Sequence, residues 1–179
     1  MDAFFRPAAP ADLDAIWDII LQAQVFMHSQ GLDQWQDGYP ERAQLAEDIA
    51  KGQSYLLETG GQAAATAVLQ TEHEPDYDHI YEGAWRLDAP CACIHRLAAA
   101  GGQRGKGAAH ALLSALEQHA LQNGISYLRV DTHEDNRPMR RFLEKNGFVY
   151  CGVVYMSRGH QKRVAYDKPL PGGECPAGI

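Results

Sequence analysis

Residues Leu13, Ile16, Trp17, Ile20, Leu21, Gln24 and Met27, nearly all apolar, recur at helical spacing. They predict a helix from Pro10 to Gln30, with Asp12 near its cap and Gly31 as its stop. Phe4-Phe5-Arg6 ahead of Pro7 suits a short first strand. Pro40 suits the first turn of a second helix, which runs to Lys51 and closes at Gly52. Residues 54–59 and 62–71 read as two strands around Gly60-Gly61, a hairpin signal. Residues 91–99 form a further strand that runs into the glycine-rich GGQRGKG. The helix predicted over 108–123 follows, with Ala109, Leu112, Leu113, Leu116 and Ala120 as its inner face and Gly124 as its end. Residues 125–132 are a strand, and 136–146 a short helix that turns Met139, Phe142 and Leu143 inward before Gly147. Residues 148–156 and 163–166 close the pattern as strands. Strands at both ends with helices between them predict a mixed α/β sheet rather than a purely wound parallel one.

Two stretches carry no period. Residues 31–39 (GLDQWQDGY) are a polar, aromatic loop, and residues 72–90 are long, acidic and aromatic. Loops of the second length are usually functional or mobile in compact domains. From Pro171 the chain, PGGECPAGI, reads as a loose tail of residues 171–179, leaving one domain over 1–170.

Charge and cysteine usage narrow the function classes. The 179 residues carry a net charge of −7, which makes nucleic acid and anionic membranes poor principal partners. No apolar run approaches the ~20 residues that span a bilayer, and the first residues lack the apolar core of a signal peptide. A cytoplasmic protein is expected. Cys91, Cys93, Cys151 and Cys175 are too sparse for a disulfide framework and are expected as free thiols.

The segment Ile94 to Ala109 (IHRLAAAGGQRGKGAA) joins a buried strand, a glycine-rich turn and a helix start. That combination binds anions, because glycines let the backbone close around a phosphate while N–H groups and the helix dipole point at it. Arg104 and Lys106 add local positive charge; the plainer alternative is a tight turn with two solvated basic residues. Gly101 to Gly105 leaves three residues where a nucleoside-triphosphatase loop needs four, and Gly107 stands where that loop needs a hydroxyl. Gly105-Lys106-Gly107 lacks the third glycine of a dinucleotide fingerprint.

Arg104-Gly105-Lys106-Gly107-Ala108-Ala109 resembles the pyrophosphate signature Gln/Arg-x-x-Gly-x-Gly/Ala of the GNAT superfamily of N-acetyltransferases. Leu97-Ala98-Ala99 before it resembles that family's bulged strand. Asn136 to Phe148 (NRPMRRFLEKNGF) is similar to its later Asn-x-x-Ala-x-x-Leu-Tyr-x-x-x-Gly-Phe block. The resemblance covers roughly residues 4–168 and implies a mixed, mostly antiparallel sheet flanked by helices. It implies acetyl-coenzyme A as co-substrate, with no metal, and acetyl transfer to an amine by direct attack. Leu97, Ala98 and Ala99 would hold the pantetheine arm through main-chain groups. Arg104, Gly105, Lys106, Gly107, Ala108 and Ala109 would cradle the pyrophosphate, and Asn136 would touch the cofactor arm. The acceptor would be a small-molecule amine or a peptide amine, and dimers are common among proteins of this kind. Met139 and Leu143 depart from the block, the second where the family often carries a tyrosine proposed to protonate the leaving thiolate. A coenzyme A-binding regulatory module without chemistry is the competing reading.

His95, two residues before Leu97, is similar in place to a histidine that does acid–base work in the arylalkylamine branch. An amine with pKa near ~10 needs a base before it can attack. The alternative is a buried strand histidine satisfied by hydrogen bonds. Tyr155, on a late strand, is by elimination the remaining candidate for the acid. Cys91, Cys93 and His95 share one strand face, but same-face neighbours ~7 Å apart do not converge on one zinc. Asp131, His133 and Asp135 suit turn and capping roles. Trp35, Tyr39, Tyr77 and Trp85 could wall an acceptor pocket or simply pack, and the acidic 72–88 segment would suit a cationic amine.

Overall fold

Residues 3–171 are described by the structure, a computed structural model, and form seven strands and four helices. The strands are β1 (Ala3–Pro7), β2 (Ser54–Thr59), β3 (Gln62–Gln70), β4 (Ala92–Ala99), β5 (Tyr127–Thr132), β6 (Val149–Tyr155) and β7 (Lys162–Pro169). The helices are α1 (Leu13–Ser29), α2 (Arg42–Ala50), α3 (Ala108–Gln122) and α4 (Arg137–Lys145). The strands make one mixed, mostly antiparallel sheet in the order β1-β2-β3-β4-β5-β7-β6. The tail beyond Pro171, Cys175 included, lies outside the described residues. Among those described, no helix is long and apolar enough to cross a membrane.

Contacts group the chain into two units, Met1–Gln70 with Ile94–Leu116 and Thr71–Cys93 with Glu117–Ile179. In the first, β1 pairs with β2 and β2 with β3, both antiparallel, the second pair about the tight Gly60-Gly61 turn. Ile16, Ile19 and Ile20 of α1 meet Leu45 and Ile49 of α2, Leu56 of β2 and Ala98 of β4 in one apolar cluster. Each fully buried aliphatic side chain contributes about 1.5–3 kcal/mol. The buried face of α1 departs from the expected one at two positions: Ile19 lies inside, whereas Leu21 is exposed. Two boundaries also differ from expectation. Helix α2 starts at Arg42 rather than Pro40, with Glu41 as its N-cap. Helix α1 starts at Leu13 rather than Pro10, with Asp12 at its N-cap position but making no capping hydrogen bond; its carboxylate accepts from the Ala9 N–H (2.7 Å) and from Arg6 (2.7 and 2.8 Å).

In the second unit, β7 lies between β5 and β6, antiparallel to both. The stretch 72–90, expected to be functional or mobile, is tied down along its length rather than mobile. Asp76 accepts from the Ser157 N–H (3.0 Å), and Tyr77 is buried with its hydroxyl donating to Asp131 (2.7 Å). Tyr81 and Val153 exchange both backbone hydrogen bonds at 2.7 Å. At Gly83 a Cβ would come within 2.0 Å of the Cys151 carbonyl oxygen, and at Gly152, where φ is +148°, within 2.5 Å of the Tyr81 carbonyl oxygen. Only glycine fits where backbone meets backbone so closely.

The anchor of this stretch is Asp167, which is 0% exposed. Its carboxylate accepts from the Arg86 N–H (3.0 Å), the Arg86 guanidinium, the Tyr127 hydroxyl and the Cys151 thiol. Burial alone would push this carboxyl up, but the donors from Tyr127, Arg86 and Cys151 outweigh it and hold the group below the ordinary carboxylate range. The Cys151 thiol is pushed up to about 12 by burial and by Asp167.

Asp167 and Asp12, the latter held low by Arg6, therefore bind protons more weakly folded than unfolded. Their contribution to stability is complete above the unfolded carboxylate value of about 3.9 and is lost as pH falls through the folded-state values. Urea unfolding should show stability declining on acidification below about pH 5. Asp167→Asn should cost about 3–5 kcal/mol near neutrality and shrink that acid-side loss; an unchanged pH profile would show that Asp167 is not the anchor.

Candidate functional site

Strand β4 carries a break in its own regularity. Arg96 has φ of +52°, a left-handed conformation that a long L side chain adopts only when its surroundings hold it there. They do. Its Nη2 donates to Asp48 Oδ1 at 2.8 Å and its Nε lies 2.7 Å from Asp48 Oδ2, a buried ion pair with Asp48 only 3% exposed. A further guanidinium N–H donates to the Tyr39 hydroxyl. A residue so placed mid-strand breaks the regular strand conformation locally. Leu97 and Ala98, next along the strand, are buried, Ala99 is half-buried, and the Ala100 N–H returns to the sheet at Ala64 (2.9 Å). His95, directly before the break, is half-buried.

Beyond Ala100 the chain makes one 3-10 turn (Gly101–Gln103) and then the Arg104–Gly107 turn into α3. Gly105 and Gly107 have φ of +72° and +89°, and neither has any atom within 4 Å of where a Cβ would stand. The loop is an open backbone surface, with Lys106 exposed on it. Helix α3 makes its first helical bond from Ala111 N–H to Gly107 C=O, so the N–H groups of Ala108, Ala109 and His110 precede the ladder. Those donors and the positive end of the helix dipole suit an anion.

Arg104 takes a different post from the one expected. Its guanidinium lies over the Phe26 ring (4.4 Å) and donates to the Gln22 carbonyl at 2.6 Å, while Gln22 Oε1 accepts from the Gly101 N–H (2.6 Å). Arg104 thereby braces the loop on α1. Beside it, Leu21, Gln22, Val25, Phe26, Ser29, Gly101 and Arg104 line a shallow depression of about 440 Å³.

In the second unit, Asn136 is buried and caps α4, its Oδ1 accepting from the Met139 N–H at 3.1 Å. His133 Nδ1 accepts from the Asp135 N–H (3.2 Å), a turn role. Asp131 lies 3.6 Å from Arg163 and accepts from Tyr77. Tyr155, at the end of β6, is half-buried, with the His160 ring stacked on it (4.8 Å, 12°) and the Tyr81 ring edge-on (5.4 Å). Of the four aromatics that could wall a pocket, Tyr77 and Trp85 are packing groups of this unit's core and Trp35 packs on the α1–α2 cluster. Sequence reasoning missed Arg96, Asp48 and Tyr39 as one assembly, since nothing local marks partners 48 and 57 residues apart. Among the described residues, no group of three or more His, Cys, Asp or Glu side chains is arranged to hold a metal ion.

Comparison with known proteins identifies the family and the fold. The model of the acetyltransferase (GNAT) family matches residues 14–148. A GNAT-family acetyltransferase of Streptococcus agalactiae is 35% identical, with a TM-score of 0.85 over 93% of this chain and 95% of its own. Two more distant structures share the fold. The PaiA N-acetyltransferase of Thermoplasma acidophilum, solved in complex with coenzyme A, is 18% identical, with a TM-score of 0.68 over 95% of this chain and 100% of its own. The ribosomal-protein-S18-alanine N-acetyltransferase of Escherichia coli is 15% identical, with a TM-score of 0.67 over 99% of this chain and 100% of its own. No curated protein matches.

Removing one half of the Asp48–Arg96 pair leaves the other charge buried alone. Asp48→Ala should therefore cost about 3–5 kcal/mol in chemical unfolding, and the apolar pair Asp48→Leu/Arg96→Met should recover most of it. A loss below about 1 kcal/mol in Asp48→Ala would show that the pair does not hold the break in β4.

Proposed function

Because the chain belongs to the GNAT acetyltransferase family, we propose that it transfers the acetyl group of acetyl-coenzyme A to a primary amine by direct attack. The observation that carries this reading is the open backbone surface from Gly101 to Ala109, with left-handed glycines at 105 and 107 leading into the N-terminus of α3. Its donors fit a pyrophosphate, and Lys106 adds charge without obstructing the backbone. Main-chain groups of Leu97, Ala98 and Ala99, beside the Arg96 break, would hold the pantetheine arm, and Asn136 would contact it. Acetyl-coenzyme A supplies an activated thioester, so the protein's task is to place donors and a base around it.

Main-chain N–H groups of β4 would polarise the thioester carbonyl, an oxyanion-type contribution. His95, immediately before the break, would take the proton of the incoming amine, directly or through water. Tyr155 would return a proton to the departing thiolate. An acceptor carrying positive charge suits an acidic protein of net charge −7, whether that amine belongs to a small molecule or to a peptide.

Coenzyme A should raise the melting temperature, whereas ATP and NAD should not. At 100-fold over its dissociation constant a native-state ligand adds ~2.7 kcal/mol. Gly107→Glu, which puts a carboxylate on the open surface, should abolish the shift while leaving the circular dichroism spectrum intact. Equal shifts from all three nucleotides would remove the cradle from the assignment.

Activity tests the proton route separately. With an acceptor found by screening polyamines, arylalkylamines, amino acids and peptides, His95→Ala should lower turnover about 10²–10⁴-fold and leave coenzyme A affinity unchanged. Near-full turnover in that variant would make His95 a structural residue.

A further inference from the structure

Tyr155 closes β6, and two separately anchored segments meet at its ring. The first is the stretch around Tyr81, tied to β6 by the paired backbone hydrogen bonds between Tyr81 and Val153. From there the Tyr81 ring meets the Tyr155 ring edge-on, with centroids 5.4 Å apart and planes at 80°. The second is the turn 157–160 between β6 and β7. The Met156 N–H donates to the Gln161 carbonyl (3.0 Å) across its base. Asp76 pins the turn by accepting from both the N–H (3.0 Å) and the hydroxyl (3.3 Å) of Ser157. At its end the His160 ring lies flat on Tyr155, with 4.8 Å between centroids and 12° between planes.

The stack is held against a backbone preference. His160 has φ of +50°, directly after Gly159 at +66°, a left-handed conformation uncommon for any residue but glycine. Such a conformation persists where the surrounding structure over-determines it, and here the pinned turn and the ring contact do so. Closing a core does not account for the arrangement, since Tyr81 is 52% exposed, His160 is exposed and Tyr155 is only half-buried. What the two rings do fix is the direction of the third. A tyrosine's hydroxyl oxygen lies on the axis of its ring, so flipping the ring leaves it in place and changing χ1 moves it. Two χ1 rotamers are common in strands. Rings packed on the face and the edge of Tyr155 leave it one.

We propose that His160 is a positioning residue for Tyr155, holding it, with Tyr81 as the second brace, in the rotamer from which its hydroxyl protonates the leaving thiolate. This rests on the acetyl-transfer role proposed above for Tyr155. In that step the amine–carbonyl bond forms and the C–S bond breaks. The sulfur leaves with the bonding pair and takes the Tyr155 proton, and the phenolate regains a proton from water. His160 contributes a ring and no proton, so another flat ring can replace it.

The test is a double-substitution cycle in the full chain, measured as turnover and KM with a screened acceptor and as the thermal shift with coenzyme A. Tyr155→Phe should lower turnover about 10²–10⁴-fold. His160→Ala should lower it at least about tenfold, with KM and the coenzyme A shift unchanged, and His160→Phe should restore most of that loss. In the Tyr155→Phe background His160→Ala should cost nothing further, because no hydroxyl is left to place. Equal losses from His160→Ala in both backgrounds, no loss in either, or a loss that His160→Phe does not restore would each overturn the proposal. Full turnover in Tyr155→Phe would overturn it too, while leaving acetyl transfer standing. A wild-type chain that binds coenzyme A and acetylates no acceptor would remove the acetyl-transfer role itself, and the positioning role with it.

Discussion

A charge with no access to water must find its partners inside the protein, and Asp167 finds its partners on three separate segments. Arg86 comes from the long stretch 72–90, Tyr127 from β5 and Cys151 from β6. Each donor satisfies part of a carboxylate whose desolvation would otherwise be costly, and each segment is thereby fixed at one point. The stretch 72–90 packs Tyr77, Ile80 and Trp85 on the core of its unit, and its path is further set by this carboxylate, by the Tyr77–Asp131 bond and by the backbone exchange between Tyr81 and Val153. Close backbone approach at Gly83 and Gly152 completes the attachment.

The first unit uses the same device for a different end. Asp48 and Arg96 also form a buried charged pair, but what they hold is a strained backbone conformation in the middle of β4. Strain of this kind persists only where neighbours over-determine it. The break is flanked by His95 on one side and Leu97 to Ala99 on the other, so a packing interaction of α2 sets the geometry of the proposed thioester site. Stability and chemistry meet at that pair.

Local chemistry was legible in the sequence. Glycines at 31, 52, 60, 61, 124 and 147 all adopt positive φ at the ends of the elements they were read as closing. The inner face of α3 came out nearly as its spacing predicts, with Leu112, Leu113, Leu116 and Ala120 buried. The open backbone at Gly105 and Gly107 was also readable, because its geometry is written in adjacent residues. What could not be read was set by distant partners. The order of 72–90 depends on residues up to 81 positions away, and the conformation of Arg96 on an aspartate 48 positions away. The face of α1 was misread at Ile19 and Leu21 because an apolar residue left outside follows the same period as one inside.

Arg104 has a consequence for how the cradle responds to an anion. Its guanidinium already rests on the Phe26 ring and its donor on the Gln22 carbonyl. An anion that recruits this side chain gains only the difference between the new contact and the two it displaces. Within the proposed cradle the arginine would thus be an internal competitor, its contacts with α1 setting the cost of recruiting it to an anion.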